Sequence, residues 1–428
     1  MRKGEENMAK QIITGPRGTQ DVSPYESYKW NLLEGKLRDI VDQYGFKEIR
    51  VPTFEHTELF LRGVGDTTDI VNKEMYTFND KGNRSITLRP EGTAPTVRSV
   101  IEHGIMNQGS PLKAYYILSC FRYEKPQSGR LREFHQLGIE LFGAPDYTAD
   151  AEVIAVGQKV MNDLGIGDKV SLNINSIGCP NCRPAYHKKL REYFEGYRDE
   201  LCEDCQARLE KNPLRILDCK VERCAEIAKD APITLDSLCD ECRDHFEGLK
   251  KTLTAMGIDY SINTKIVRGL DYYTKSVFEF VYDGIGSQGT VCGGGRYDGL
   301  FEEIGGPHVP GVGFGMGIER LLMTVEAEGK NLGDDTVPDL FFAGIGEDAK
   351  VFAFTLAEKA RYEGLRAQSD LMNRSLKAQM KFADKIGAKY TVVIGDEELA
   401  SRKATAKRMS DRENIELDLD RPLREQLK

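Results

Sequence analysis

FRYEKPQSGRLREFHQLGIELFG, residues 121–143, carries the strongest architectural signal in the chain. Two runs that mix apolar and polar residues, Leu112 to Tyr123 and Arg132 to Phe142, flank a short basic segment with Pro126 and Gly129. That pattern predicts two antiparallel strands joined by a loop. Side chains alternate between the faces of a strand. Phe134, Gln136, Gly138 and Glu140 therefore share one face, and His135, Leu137, Ile139 and Leu141 share the other. The first set lies beside Arg122 and Glu124, where a purely structural strand would more often carry Val or Ile. From alternation alone this surface reads either as the floor of a ligand site or as a solvated outer face.

The chain has 428 residues, 40% hydrophobic and 30% charged, a soluble globular composition long enough for two or three domains. It holds no run of 18 apolar residues, and its first residues, MRKGEENMAKQ, carry no hydrophobic segment. The expectation is a cytoplasmic protein with no membrane span or secretory signal. A net charge of -9 argues against a general nucleic-acid coat but leaves room for a local basic footprint. Eight of the ten cysteines fall between Cys179 and Cys242, and in a reducing compartment these are thiols or metal ligands rather than disulfides.

Around the hairpin, Trp30, Leu33, Leu37, Ile40, Val41 and Tyr44 recur at helical spacing between Glu26 and Tyr44, with Gly45 as the stop. A strand from Phe46 to Val51 ends at Pro52. Ser85 to Arg89 reads as a strand running into Pro90-Glu91-Gly92-Thr93, followed by a helix to His103 with Thr93 as a possible N-cap. Glu91 and Thr93 then sit either at a site rim or in a plain capping turn. A helix from Ala149 to Leu164 precedes a strand from Val170 to Asn175, and strands follow at Ser261 to Val267 and Ser276 to Tyr282. From Gly178 to Met256 the chain turns rich in Cys, Lys, Arg and Glu, which suggests an inserted helical module.

GVGFGMGIERLL, residues 311–322, tempts a dinucleotide reading, but no βαβ unit with an acidic residue about 20 positions on follows it. GxxxxGK[ST] is also missing, so any nucleotide is held without a P-loop. Asn331 to Pro338 reads as a linker. Beyond it strands and helices alternate (Asp339 to Gly344, Asp348 to Tyr362, Arg366 to Asp370, Ser375 to Ile386, Tyr390 to Gly395), ending in a weaker strand pair, which predicts a small α/β domain.

These motifs resemble the class II aminoacyl-tRNA synthetases in their histidyl form. F-R-x-E, the loop with Arg130 and R-E-F-x-Q-L-G-x-E resemble motif 2; the first helix, strand and Pro52 resemble motif 1; GFGMGIERL resembles motif 3. L-R-P-E-G-T (88–93), R-G-L-D-Y-Y (268–273) and G-G-G-R-Y-D (293–298) are all intact. The resemblance implies an α+β catalytic domain over 8–330 with a mixed, largely antiparallel sheet, a cysteine-rich insertion at 178–256 and an α/β anticodon-binding domain at 336–428. It implies a homodimeric ligase that activates L-histidine with ATP and Mg2+ and transfers it to the 3′ end of tRNA(His).

By the same resemblance Arg122 and Arg320 hold the α- and γ-phosphates, Arg268 stands across the α-phosphate, and Glu124 belongs to the ATP site. Arg122 and Arg268 are the catalytic residues, since permanently charged guanidinium groups suit repulsion between a carboxylate and a triphosphate. Glu91, Thr93 and Gln136 would receive the α-amino group, Glu140 and Tyr273 the imidazole nitrogens, and Tyr272 the pocket wall. Gln127 and Arg130 would meet the tRNA acceptor end, and Arg183, Lys188, Lys189 and Arg191 form either a phosphate clamp or a solvated helix face. Three C-x-x-C pairs, Cys179/Cys182, Cys202/Cys205 and Cys239/Cys242, are candidate zinc ligands, with unliganded thiols as the alternative. Cys219 and Cys224 bring the thiols to eight, enough for two sites. The rival reading is a histidine-sensing regulatory subunit of ATP phosphoribosyltransferase, a relative that usually lacks the last domain and erodes R-G-L-D-Y-Y.

Overall fold

The structure, a computed structural model, describes residues 12–65, 68, 70–217, 219, 221–266, 269–333 and 336–427, leaving aside the side chains of 286–288. Two compact units form, Met1–Leu332 and Gly333–Lys428. The first is built on an eight-stranded sheet. Its strand order is Lys47–Glu48, Leu112–Phe121, Glu133–Phe142, Gly311–Gly317, Thr290–Arg296, Thr274–Val281, Ser171–Gly178 and Ser261–Ile262. The six inner strands pair antiparallel, and the short strand at each edge runs parallel to its neighbour.

Register assigns the two faces of this sheet opposite tasks. Leu137, Ile139 and Leu141 pair with Met316, Phe314 and Val312, and all six are buried in the main core. That core is completed by Leu33, Leu37, Ile40 and Val41 of helix Ser27–Gln43 and by helices Tyr147–Asp163 and Ile318–Ala327. The intervening residues Gln136, Gly138 and Glu140 pair with Gly317, Gly315 and Gly313 on the other face. Glycine opposite a polar side chain leaves floor space that any Cβ would fill.

Several expected elements shorten. The strand after the first helix is only Lys47–Glu48; beyond it Ile49 N still donates to Tyr115 O (2.8 Å), and the carbonyls of Val51 (2.9 Å) and Pro52 (3.0 Å) turn away to accept from the Arg89 guanidinium. Ser261–Ile262 is likewise two residues, and Val267 lies outside the described residues. The expected strand Ser85–Leu88 is the centre of a three-stranded sheet whose other strands, Phe54–His56 and Thr77–Asn79, were not anticipated, nor was helix Thr57–Val64. The cysteine-rich segment has its own core, from Tyr186 to Ala231. Its last helix, Asp240–Ala255, instead buries Phe246, Leu249 and Leu253 in the main core.

In the second unit Ala367–Ser369, Leu340–Gly344 and Tyr390–Ile394 lie parallel, and Lys403–Arg408 and Asn414–Asp418 extend the sheet antiparallel. Helix Glu347–Tyr362 buries Ala349, Ala353, Leu356, Ala357 and Ala360 against it.

Candidate active site

The polar face of the hairpin opens into a cavity. Its wall includes Glu91, Thr93, Tyr116, Arg122, Glu124, Arg130, Gln136, Tyr272, Tyr273, Glu319 and Arg320. These come from separate parts of the chain: the turn after Ser85–Leu88, the hairpin, the segment before Thr274–Val281, and the start of helix Ile318–Ala327. Glu91 is buried and serves two ends. Its carboxylate accepts from the backbone N–H of Thr93 (2.7 Å) and Ala94 (2.8 Å), satisfying the first turn of helix Thr93–Glu102. Burial pushes its carboxyl upward, and the two N–H donors oppose that. Thr93 is therefore not the N-cap; Gly92 holds that position and Glu91 supplies the acceptor.

Glu140 departs from expectation. It is fully buried, and it lies beneath the cavity rather than on its wall. Thr93 Oγ1 (2.8 Å) and Tyr116 OH (3.0 Å) donate to one carboxylate oxygen and Tyr297 OH to the other. Burial raises its pKa to about 8, against the pull of these hydroxyls. The reason is local: Gly138 leaves room for the Tyr116 ring, which a Cβ there would overlap, and Gly313 leaves room for the Glu140 carboxylate in the same way. The rings of Tyr272 and Tyr273 lie 4.7 Å apart between centroids with their planes tilted by 48°, and they meet Tyr297 edge-on at 5.5 and 6.3 Å. They belong to a packed core and to the cavity wall at once.

At the other end of the cavity positive charges gather. Arg320 donates to Gly129 O (2.8 Å) and Thr290 O (2.7 Å), and Arg122 to Pro90 O (2.9 Å). Burial, then repulsion from Arg130 and Arg122, lowers the Arg320 pKa, an environment that favours a bound anion. The hairpin loop folds down here. Arg130, expected to face tRNA, forms an ion pair with Glu124 inside the cavity, while Gln127 stays exposed at the loop tip and closes a turn with Arg130. Gln136 lies across Gly315 and accepts from Cys120 Sγ at 3.4 Å. Arg268 lies outside the described residues.

Four contributors went unnoticed in the sequence. Tyr116 and Tyr297 hold Glu140; Glu319 accepts from the His135 backbone N–H (2.9 Å) and meets its Nδ1 (2.9 Å), fixing the glycine strand to the hairpin. Arg296 is wholly buried and pairs with Asp150, which His245 also approaches at 3.3 Å. Only the adjacency of Arg296 and Tyr297 in G-G-G-R-Y-D hinted at any of this. In the insertion Arg183 is drawn inward onto the Tyr273 carbonyl, so it forms no part of an outward basic face. The cysteines assemble as two foursomes, Cys179/Cys182/Cys239/Cys242 and Cys202/Cys205/Cys219/Cys224. The first and third C-x-x-C pairs thus meet, and the second recruits Cys219 and Cys224. In the second unit, Arg374 lies over the Phe382 ring at 4.3 Å and pairs with Asp370 at 2.7 Å, beside Asn373, Lys350 and Ser375.

Comparison with known proteins places these features. The family profile described as Histidyl-tRNA synthetase matches residues 18–321, and one described as Anticodon binding domain matches 339–425. A curated Histidine--tRNA ligase of Caldanaerobacter subterraneus is 59% identical over 96% of this chain and 98% of its own length. One from Acetivibrio thermocellus is 56% identical with the same coverage. The apo Staphylococcus aureus histidyl-tRNA synthetase crystal structure superposes with a TM-score of 0.83 at 41% identity, over 97% of this chain and 100% of that one.

Proposed function

The chain belongs to the histidyl-tRNA synthetase family, and from that premise we infer what each side chain of the cavity contributes. The activity is that of a histidine–tRNA ligase. The carboxylate of L-histidine attacks the α-phosphorus of ATP, pyrophosphate leaves, and the acyl group of the adenylate passes to a ribose hydroxyl of tRNA. The regulatory-subunit reading is not favoured, given 59% identity to a ligase across 96% of the chain and a matched second unit.

The attacking carboxylate is ionised at neutral pH, so activation requires no general base. The task is to cancel repulsion between two anions and to stabilise charge on the phosphorus oxygens. We assign Arg122 to the α-phosphate, Arg320 to the γ-phosphate and Arg268 to the far side of the α-phosphate. Arg122 and Arg320 already line one cavity. Mg2+ enters with ATP as part of the substrate; Glu124 and Glu319 offer oxygen donors of the type it takes, and the bound ion would neutralise phosphate charge. Glu91, Thr93 and Gln136 receive the α-ammonium group, Tyr273 faces the imidazole, and Tyr272 walls the pocket. Glu140 acts from below, orienting the hydroxyls of Thr93 and Tyr116 that reach the cavity.

For tRNA(His), exposed Gln127 is positioned to meet the acceptor end, and Arg130 joins it once phosphate competes for its ion pair with Glu124. The second unit takes the anticodon, with Arg374 as a candidate contact. Homodimerisation is supported by Phe54 and Phe78, which are 56% and 49% exposed and share one face of the three-stranded sheet through their partners Leu88 and Ile86. None of the described helices is long and apolar enough to cross a membrane, and a tRNA substrate suits a cytoplasmic setting.

The observation that carries this reading is the convergence of Arg122, Arg320, Glu91, Gln136 and Tyr273 on one cavity. ATP–pyrophosphate exchange tests it. Exchange should require L-histidine among the amino acids and should collapse in Arg268→Ala, since losing one such donor removes roughly 3–4 kcal/mol of transition-state stabilisation. Equal stimulation by several amino acids would overturn the specificity, and no exchange at all would restore the regulatory reading.

A further inference from the structure

We propose that the two cysteine foursomes are separate tetrathiolate zinc sites, and that each holds an arginine against the histidine-recognition segment Gly269–Tyr273. A zinc–thiolate bond of about 2.3 Å sets the edge of an S4 tetrahedron at about 3.8 Å. In the first site Cys179 Sγ lies 3.7 Å from Cys182 Sγ and 3.8 Å from Cys239 Sγ, and Cys182 Sγ lies 3.9 Å from Cys242 Sγ. In the second, Cys202 and Cys219 are 3.8 Å apart, and each foursome keeps all its sulfurs within 4.8 Å of one another. Such distances are far beyond a disulfide bond. They suit a single ion with four sulfur ligands and no open position, a structural site rather than a catalytic one.

Three further observations point to a ligand. The backbone N–H of Cys179 donates to Cys182 Sγ (3.1 Å) and that of Cys202 to Cys224 Sγ (3.3 Å), the outer-shell support that metal-bound thiolates receive. Gly178 has φ +69°, and a Cβ there would press on Cys182 Sγ at 2.7 Å, so the turn into the first site is shaped around a sulfur. The module spanning Tyr186 to Ala231 is also small for an unaided core, and metal binding would supply part of its folding free energy.

The sites reach the catalytic unit through two guanidinium groups. Arg183, next to Cys182, donates to the Tyr273 carbonyl. Arg215, between Cys205 and Cys219, donates to Gly269 O (2.9 Å) and Asp271 Oδ1 (2.9 Å). Asp271 N in turn donates to Val64 O (3.2 Å). The first site closes the root of the insertion by joining the end of strand Ser171–Gly178 to the start of helix Asp240–Ala255. The second rigidifies the module that carries Arg215. Arg183 and Arg215 are positioning residues: they act on histidine through the backbone of the segment that bears Tyr272 and Tyr273.

This inference rests on the ligase reading only for its histidine arm. The full chain, purified under reducing conditions from zinc-supplied cells, is measured for zinc by mass spectrometry and for reactive thiols in the native state. About two zinc ions per chain are expected, falling to about one in Cys202→Ser/Cys205→Ser and in Cys179→Ser/Cys239→Ser. If those variants do not fold, zinc released from the wild-type chain by a thiol-blocking reagent still gives the stoichiometry. Arg183→Met, which loses one charge-assisted hydrogen bond to the segment, and Arg215→Met, which loses two, should keep both ions and raise KM for histidine about tenfold or more, with KM for ATP and kcat little changed. Arg183→Lys should recover part of the loss. Zinc-free protein whose insertion thiols react at once, iron in place of zinc, or disulfides in the purified chain would overturn the sites. Two zinc ions with unaltered histidine KM in both arginine variants would overturn the coupling. A zinc-free but active enzyme would sink this inference alone and leave the ligase reading standing.

Discussion

Glu140 shows how one residue's surroundings recast its role. Burial pushes its carboxyl up to about 8, far above the ordinary value of 4.5. A raised folded pKa means that the native state holds a proton the unfolded chain releases between those two values. The stabilisation is fully present below about 4.5 and is lost as pH rises through about 8. Glu140→Gln cannot titrate. Thermal unfolding followed from pH 5 to pH 9 should therefore show wild type losing stability relative to the variant as pH rises, by a few kcal/mol at most. Parallel curves would show that Glu140 does not carry this proton. Arg296 makes the complementary point, since an arginine within the intact G-G-G-R-Y-D motif spends its guanidinium on the buried Asp150 carboxylate.

At the scale of the element, the hairpin and the glycine strand work as one device. Gly138 is legible in the sequence as a gap in the polar face, but its purpose is to seat the Tyr116 ring that donates to Glu140. Gly138→Ala should force that ring aside, destabilising the protein by about 1–3 kcal/mol through overpacking. KM for histidine should rise more than KM for ATP, because the displaced ring lies at the Glu140 end and not at the arginine end. Steady-state exchange kinetics check this, and an equal rise in both constants would place Tyr116 elsewhere in function. The strand alternation, the helix periods and the turn glycines are local signals, which is why these elements were readable at once. Of the three-stranded sheet, the sequence showed Ser85–Leu88 as a strand but not its partners Phe54–His56 and Thr77–Asn79, which at three residues each are too short for periodicity to register.

On the scale of the molecule, each unit closes a core of its own, one centred on the eight-stranded sheet and one on Leu340, Phe342, Val392 and Leu417. A chain ending at Leu332 should therefore fold and keep histidine-dependent ATP–pyrophosphate exchange within a few-fold of the full chain, while tRNA charging falls by more than tenfold. Charging at the full rate by this truncated form would remove the anticodon role of Gly333–Lys428.

By itself the sequence determined the family, the main strands and helices, the two-unit plan and the residue types that line the cavity, because each of these rests on spacing within a short window or on an intact motif. Tertiary structure decided which groups meet. It put Glu140 under the cavity floor, turned Arg130 inward onto Glu124, paired the first C-x-x-C with the third, and pulled Arg183 away from solvent. Each of these depends on contacts between residues far apart in the chain, or on a loop folding back, and the partner of a charge or a thiol is fixed by packing rather than by its neighbours in sequence.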